Sequence, residues 1–180
     1  LIDLIPDGDS TLSLDLQRLE RVKEARAEEA NAYFRENAPR WNEIRSLHVP
    51  ESEVERVLLD ILSDWDIGDL LDIGTGTGRM LELFGPRVAK ATGMDRSHEM
   101  LAVARMHLER AGLRHCQVRH GNMYQLPLPS DSFDAVVFHQ VLHFADNPPR
   151  ALSEAARALR PGGVLVVADF APHDLEDLRR

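Results

Sequence analysis

Residues 70–79 read LLDIGTGTGR, an apolar run that carries one acid and ends in three glycines at every second position. No other stretch of the chain restricts its fold as much. A short apolar run that stops at glycine is a buried strand giving way to a turn, and the RMLELFG that follows has the spacing of a helix. Glycine at 74, 76 and 78 lets the backbone turn tightly and lets a ligand touch main chain without meeting a Cβ. Such a strand–turn–helix junction delivers the free amides of a helix N-terminus to whatever binds there.

The rest of the chain sets that junction in an alternating pattern. After Asp66, VAKATGMD, HCQVRHG, FDAVVFH and VLVVADF read as strands, and SHEMLAVARMHLERAG and PRALSEAARALRPGG as helices; a turn-rich QLPLPSDS precedes the fourth strand. Ser97 suits the N-cap of one helix and Gly112 its close. Strands alternating with helices predict an α/β fold, a parallel sheet joined by right-handed crossovers and covered on both faces. Before Asp66 the chain is helical. Thr11–Asn37 carries Leu12, Leu16, Leu19 and Val22 at helical spacing, but the stripe fades after Val22, which suits a connector that docks at one end better than a coiled coil. Pro39 and Pro50 bracket a short helix, RWNEIRSLH. ESEVERVLLDILSDW predicts another, with its apolar face at Val54, Val57, Leu58, Ile61 and Leu62. We therefore divide the chain into an N-terminal connector and lid, 1–64, and a ligand-binding domain, 65–180.

Composition removes several classes of function. At 180 residues and 43% hydrophobic, the chain can bury one substantial core plus an appendage. Its 21 basic against 30 acidic residues give a net charge of −9, which repels a phosphate backbone, so direct nucleic-acid binding is not expected. The single cysteine, Cys116, excludes an internal disulfide and a multi-thiolate metal site, and reads as a small buried apolar residue in a reducing cytosol. No apolar run approaches the ~18 residues of a membrane span, and no signal peptide is evident. A cytoplasmic location is expected. His98, His107, His115, His120 and His173 lack a ligand spacing such as HExxH, so no metal is expected. The chain starts at Leu1 rather than Met, and we treat it as a fragment.

The ligand can be narrowed from charge. A dinucleotide-binding loop wants a glycine three positions after the second one, where this chain has Arg79. Asp95, at the end of the second strand, stands where such folds hold ribose hydroxyls. Asp72, just ahead of the glycines, repels a phosphate and favours an ammonium or sulfonium group. Together these residues call for a nucleoside with a cationic side arm.

Over residues 65–180 the sequence resembles the class I S-adenosylmethionine-dependent methyltransferases. LLDIGTGTG is similar to their first motif, GMDRS to their ribose-binding acid, GNMYQLPLPSDSFDAVV to their adenine-contacting turn and fourth strand, and LRPGGVLVVADF to their fifth strand. The resemblance implies a Rossmann-like fold and S-adenosyl-L-methionine as cofactor. It further implies that Gly74, Gly76 and Gly78 wrap the methionine portion and ribose, with Asp72 near the amino group and Asp95 on both ribose hydroxyls. Thr75, Arg96 and Met100 complete that implied set. Asn122 stands where the family usually has Asp, and its side-chain oxygen still accepts from the adenine amino group. Met123 would cover the ring from one side and Met94 from the other, although either methionine also suits plain core filling. His139 would meet the methionine portion through its carbonyl.

The implied reaction is methyl transfer to a small-molecule acceptor. His139 and His143 are the candidate bases where the acceptor carries a proton; His143 suits packing of the following helix equally well. Tyr33, Phe34, Trp41, Arg45 and His48 form an aromatic and basic set that either folds over the cofactor as a lid, led by Tyr33, Trp41 and Arg45, or simply anchors the appendage. The stretch AYFRENAPRWNEIRSLHVPESEVE is similar to methyltransferase domains that follow an arsenic-repressor-like winged-helix regulator, which makes a cofactor-sensing module without turnover the alternative function. Methylation of arsenic itself is disfavoured by the lone thiol, and a nicotinamide-dependent oxidoreductase by Arg79 and Asp72. Family members normally add two further strands, so the outer edge of the fifth strand is expected to be bare or covered by another chain, as in a homodimer.

Overall fold

The computed structural model describes residues 10–41 and 51–171. Its elements in chain order are α1 (Ser10–Asn37), α2 (Glu51–Leu62), β1 (Asp69–Ile73), α3 (Arg79–Phe84), β2 (Lys90–Asp95), α4 (His98–Arg110), β3 (Cys116–His120), β4 (Phe133–His139), α5 (Pro148–Ala158) and β5 (Leu159–Ala168). The five strands form one sheet in the order β3-β2-β1-β4-β5, and every pair is parallel. This is the α/β parallel-sheet architecture expected from the strand and helix patterns, in the Rossmann-like form that the family resemblance implies.

Strand geometry explains why both faces are covered. Side chains alternate across a strand, and in β4 Ala135 and Val137 join one buried cluster while Val136 and Phe138 join the other. β1 divides the same way, Leu70 to the first face and Leu71 and Ile73 to the second. The first face packs against α2, α3 and α4 through Leu58, Leu81, Phe84, Leu101 and Leu108; the second packs against α5 through Ala151, Ala155 and Ala158. Three alanines at helical spacing on one face let α5 lie close on the sheet.

Local signals decide the helix ends. Ser97 Oγ accepts the Met100 amide at 3.1 Å, so α4 begins with the expected cap. It ends with Gly112 at φ +70°, the Gly112 amide on Glu109 O at 3.1 Å and the Leu113 amide on Leu108 O at 3.0 Å, a left-handed closure that returns two buried leucines to the core.

Three expectations need correction or a limit. The helix drawn through RALRPGG stops at Ala158, because Pro161 lacks the amide a helix needs and disfavours helical geometry at Arg160. Residues 159–163 instead enter β5 through an irregularity, the register passing from Phe133–Leu159 to Ala135–Val164. On α2, Val57 and Ile61 are exposed while Leu58 and Leu62 are buried. The bracketed helix after Trp41, with Arg45 and His48, lies outside the described residues. α1 leaves Leu12, Leu16, Leu19 and Val22 exposed; α1 and the 3-10 turn at Ala38–Arg40 both contact α4, and Ala38 is buried. Among the described residues β5 is an edge strand, and no helix is long and apolar enough to cross a membrane.

Candidate functional site

The chain runs outward from β1 through β2 to β3, then returns to β4 on the other side of β1. Crossovers diverge at such a switch point and leave a crevice beyond the carboxyl ends of the strands. A cavity of about 360 Å³ lies there, walled by the loops after β1, β2, β3 and β4.

The glycine loop forms its floor. Gly74 sits at φ +75°, and a Cβ there would lie 2.2 Å from Val141 Cγ2, so only glycine lets the loop pass beneath the β4 crossover. Its amide and that of Thr75 bond the Met94 carbonyl at 2.8 and 3.0 Å, which ties the loop to the end of β2. Gly76, at φ +52°, is different: a Cβ would have a single neighbour within contact, Trp41 Nε1 at 3.9 Å. At that position the absent side chain leaves main chain open to the cavity. Thr75 Oγ1 is buried with no hydrogen-bond partner among the described residues, a polar atom left for a ligand to satisfy.

Asp95, at the end of β2, stands directly beside the glycine loop. Its Oδ2 accepts the Gly76 amide at 2.8 Å and its Oδ1 the Ser97 amide at 2.9 Å, and each oxygen keeps a further acceptor site. Burial pushes the Asp95 carboxyl above its usual range, against the amides of Ser97, Gly76 and Arg96 and the charge of His120. His120 and His98 stack beside it with ring centroids 4.3 Å apart. Asp72 is buried at the end of β1 and also lines the cavity.

Most residues singled out from the sequence converge here. Asp72, Gly74, Thr75 and Gly76 line the cavity from β1, and Asp95, Arg96 and Met100 from β2 and α4. Asn122, Met123, His139 and His143 line it from β3 and β4. Met94 serves both roles considered for it, lining the cavity while buried in the α5-side core. Gly78 is not part of the wall: it caps α3 at φ +84° with Ala104 Cβ 3.1 Å from its missing side chain. Asn122 spends one acceptor site on its own turn, taking the Tyr124 amide at 3.0 Å. Trp41 reaches the cavity, whereas Tyr33 stands behind it, edge-on to the indole at 6.4 Å. The Phe34 and Arg45 side chains are outside the described residues. Arg79 grips Glu55 of α2 through two bonds of 2.6 and 2.7 Å, so the residue that breaks the dinucleotide pattern fastens α2 beside the loop.

Asp169, at the end of β5, escaped the sequence reading. Its Oδ1 lies 2.6 Å from His143 Nδ1. Its Oδ2 accepts the amides of Val141, Leu142 and His143 at 3.1, 2.7 and 3.3 Å. Burial alone would push the Asp169 carboxyl up, but His143 and the amides of Phe170 and Leu142 more than reverse that and hold it below its usual range. Gln140, at φ +52°, turns the chain off β4 into this arrangement. The available signal was an isolated acid directly after an apolar strand.

Comparison with known proteins agrees with this geometry. Residues 71–167 match the model of a methyltransferase domain. The chain is 40% identical over 108 residues to the phosphatidylethanolamine N-methyltransferase of Cereibacter sphaeroides, covering 59% of this chain and 53% of that protein. It is 30% identical over 157 residues to the demethylmenaquinone methyltransferase of Listeria welshimeri, covering 82% and 65%. Among solved structures, the DhpI–SAM–HEP complex superposes with a TM-score of 0.68 at 26% identity, over 86% of this chain and 71% of that one. The chain thus spans between half and two thirds of these two curated relatives.

Proposed function

We propose that the cavity holds S-adenosylmethionine and a small methyl acceptor side by side, proceeding from the premise that this chain belongs to the class I S-adenosylmethionine-dependent methyltransferases. The observation that carries the reading is the pairing of Gly76 with Asp95 beyond the carboxyl ends of the adjacent strands β1 and β2. Bare main chain meets a partly buried carboxylate whose two oxygens are already aligned by amides.

The residues present suit that donor. Asp95 can accept from two vicinal hydroxyls, the open side of Gly76 admits a ribose or side arm, and the buried Thr75 hydroxyl is available for a polar atom. Asp72 supplies negative charge near a cationic arm. Met94, Met100 and Met123 offer polarizable surface to a flat base, and Asn122 keeps one acceptor site for an exocyclic amine. His139, buried at the end of β4, would meet the methionine portion.

When bound, the donor supplies an activated methyl group on a sulfonium. The protein's own contribution is position and exclusion of water, since in-line transfer needs little covalent assistance. Trp41, whose Nε1 lies 3.9 Å from where a Cβ on Gly76 would stand and which has Tyr33 edge-on to it, would act as a lid over the glycine loop, and Arg45 is included in that lid as a proposal from the sequence.

Titration calorimetry tests the donor site: S-adenosylmethionine and S-adenosylhomocysteine are expected to bind and NAD is not. Release of S-adenosylhomocysteine is then measured with a panel of amines, hydroxyl compounds, thiols and activated carbon acids, because one relative is named for phosphatidylethanolamine and another for demethylmenaquinone. No donor binding would sink the reading. Binding without turnover on any acceptor would replace it with a cofactor-sensing module of a regulator.

A further inference from the structure

We infer that Asp169 fixes His143 as the base that takes a proton from the acceptor, so that the acceptor is a hydroxyl compound on an apolar frame. The inference rests on the methyl-transfer reading and adds the class of acceptor to it.

Hydrogen-bond inventory determines the histidine's state. An ionised carboxylate only accepts. Asp169 Oδ1, 2.6 Å from His143 Nδ1, therefore requires the proton on Nδ1, so that the neutral ring carries its lone pair on Nε2. The same carboxylate cannot drift, because its other oxygen accepts three successive main-chain amides, those of Val141, Leu142 and His143. The imidazole and its orienting acid thus come from the segments that follow two adjacent strands, β4 and β5, at the end that faces the cavity. His143 lines that cavity.

The surroundings describe the acceptor. Phe144 also lines the cavity, with its ring centroid 3.9 Å from that of His143, and it is 46% exposed. Phe170 meets the imidazole edge-on at 5.2 Å. An apolar ring beside a lone-pair nitrogen suits a hydroxyl carried on an apolar or aromatic skeleton. A tertiary amine or thioether needs no base, and a thiol ionises more readily than a phenol or alcohol, so among these a hydroxyl gains most from the arrangement.

The step balances without any further reagent. A bond forms between the acceptor oxygen and the methyl carbon as the carbon–sulfur bond breaks, and the bonding pair stays on sulfur, which becomes a neutral thioether. The hydroxyl proton passes to Nε2 of His143. The positive charge that began on sulfur ends on the imidazolium, beside the Asp169 carboxylate.

Asp169→Asn separates this role from a merely structural one. Three amides donate to the Oδ2 position and one, that of Phe170, to Oδ1, so the asparagine carbonyl is favoured at Oδ2 and its NH2 faces Nδ1 with loss of the Phe170 bond alone. The turn keeps its cap while the ring is driven to the other tautomer, with the proton on Nε2. The expected result is a kcat on phenol and alcohol acceptors lowered about 100-fold or more, with the calorimetric Kd for S-adenosylmethionine and the melting temperature close to wild type. Nitrogen NMR of His143 in the ligand-free protein should change from the Nδ1–H to the Nε2–H pattern. His143→Gln should lose kcat to a similar extent and serves if the first variant is unstable. Wild-type turnover in both variants, or turnover by the wild type on amines, thiols, thioethers or carbon acids but on no hydroxyl compound, would overturn the inference while leaving methyl transfer intact. Failure of the wild type to bind S-adenosylmethionine would overturn the reading beneath it.

Discussion

Acids stand at both ends of the sheet, and they are held differently. At the amino ends of β1 and β4, Asp69 and Asp134 share the guanidinium of Arg160 at 2.8 and 2.6 Å, and Asp134 also accepts the amides of Gly68 and Asp69. At the carboxyl end of β2, Asp95 is met by main-chain amides beside an open cavity. The Arg160 guanidinium and the two amides outweigh burial at Asp134 and hold its carboxyl below the usual range, whereas burial dominates at Asp95 and pushes that carboxyl up. A carboxylate already satisfied by a cation reinforces the fold. One buried at some cost and aimed at a crevice is placed for a ligand.

Exchange of function for stability between the two ends gives the sharpest tests. Asp95→Ala should weaken S-adenosylmethionine binding by about 1.5–3 kcal/mol for each charge-assisted bond lost, at least roughly tenfold in Kd by calorimetry. Its melting temperature should hardly move, because two lost amide bonds are offset by relief of a desolvated charge. Unchanged affinity would break the comparison at its functional end. Gly74→Ala should destabilise the fold by about 1–3 kcal/mol in chemical denaturation, since a side chain at φ +75° is strained and Val141 occupies its space.

At the other end the signs reverse. Asp134→Ala should cost about 1–2 kcal/mol of stability, discounted for its partial exposure, and leave the Kd for S-adenosylmethionine unchanged. The pH response follows. A carboxyl whose folded pKa is depressed contributes stability above its unfolded value and loses it as pH falls. Asp134, Glu154 and Asp169 are all depressed, so thermal stability should decline as pH drops below the ordinary carboxylate range. Asp134→Ala should flatten part of that decline. Asp95, shifted upward, acts with the opposite sign, and an acid profile unaffected by the Asp134 change would contradict the assignment of structural work to that end.

This contrast also marks where sequence reading succeeds. The glycine loop, Asp95, the Ser97 cap and the Gly112 closure are each specified within a few residues, by apolar periodicity and turn chemistry. Residues that act across the fold leave no such mark. Arg160 reaches Asp69 91 positions away, and Asp169 reaches His143 over 26 positions. The end of α5 was misread because ALRPGG continues an apolar helical pattern that Pro161 interrupts only from within. On α2, spacing alone marked Val57 and Ile61 as buried, although the sheet offers contact for one side of that helix.

Ser97 belongs to both categories and gives the finest test. Its hydroxyl caps α4, and its amide aligns Asp95. Ser97→Ala removes the first bond and keeps the second, because the amide survives any substitution except proline. The expected cost is about 1 kcal/mol of stability by urea denaturation, the usual worth of such a cap, with a Kd for S-adenosylmethionine changed less than about threefold, or under 0.7 kcal/mol. If affinity fell as far as in Asp95→Ala, the α4 cap rather than the carboxylate would be setting the geometry of the site, and the distinction between fold-bearing and ligand-facing groups would have to be redrawn at the first turn of that helix.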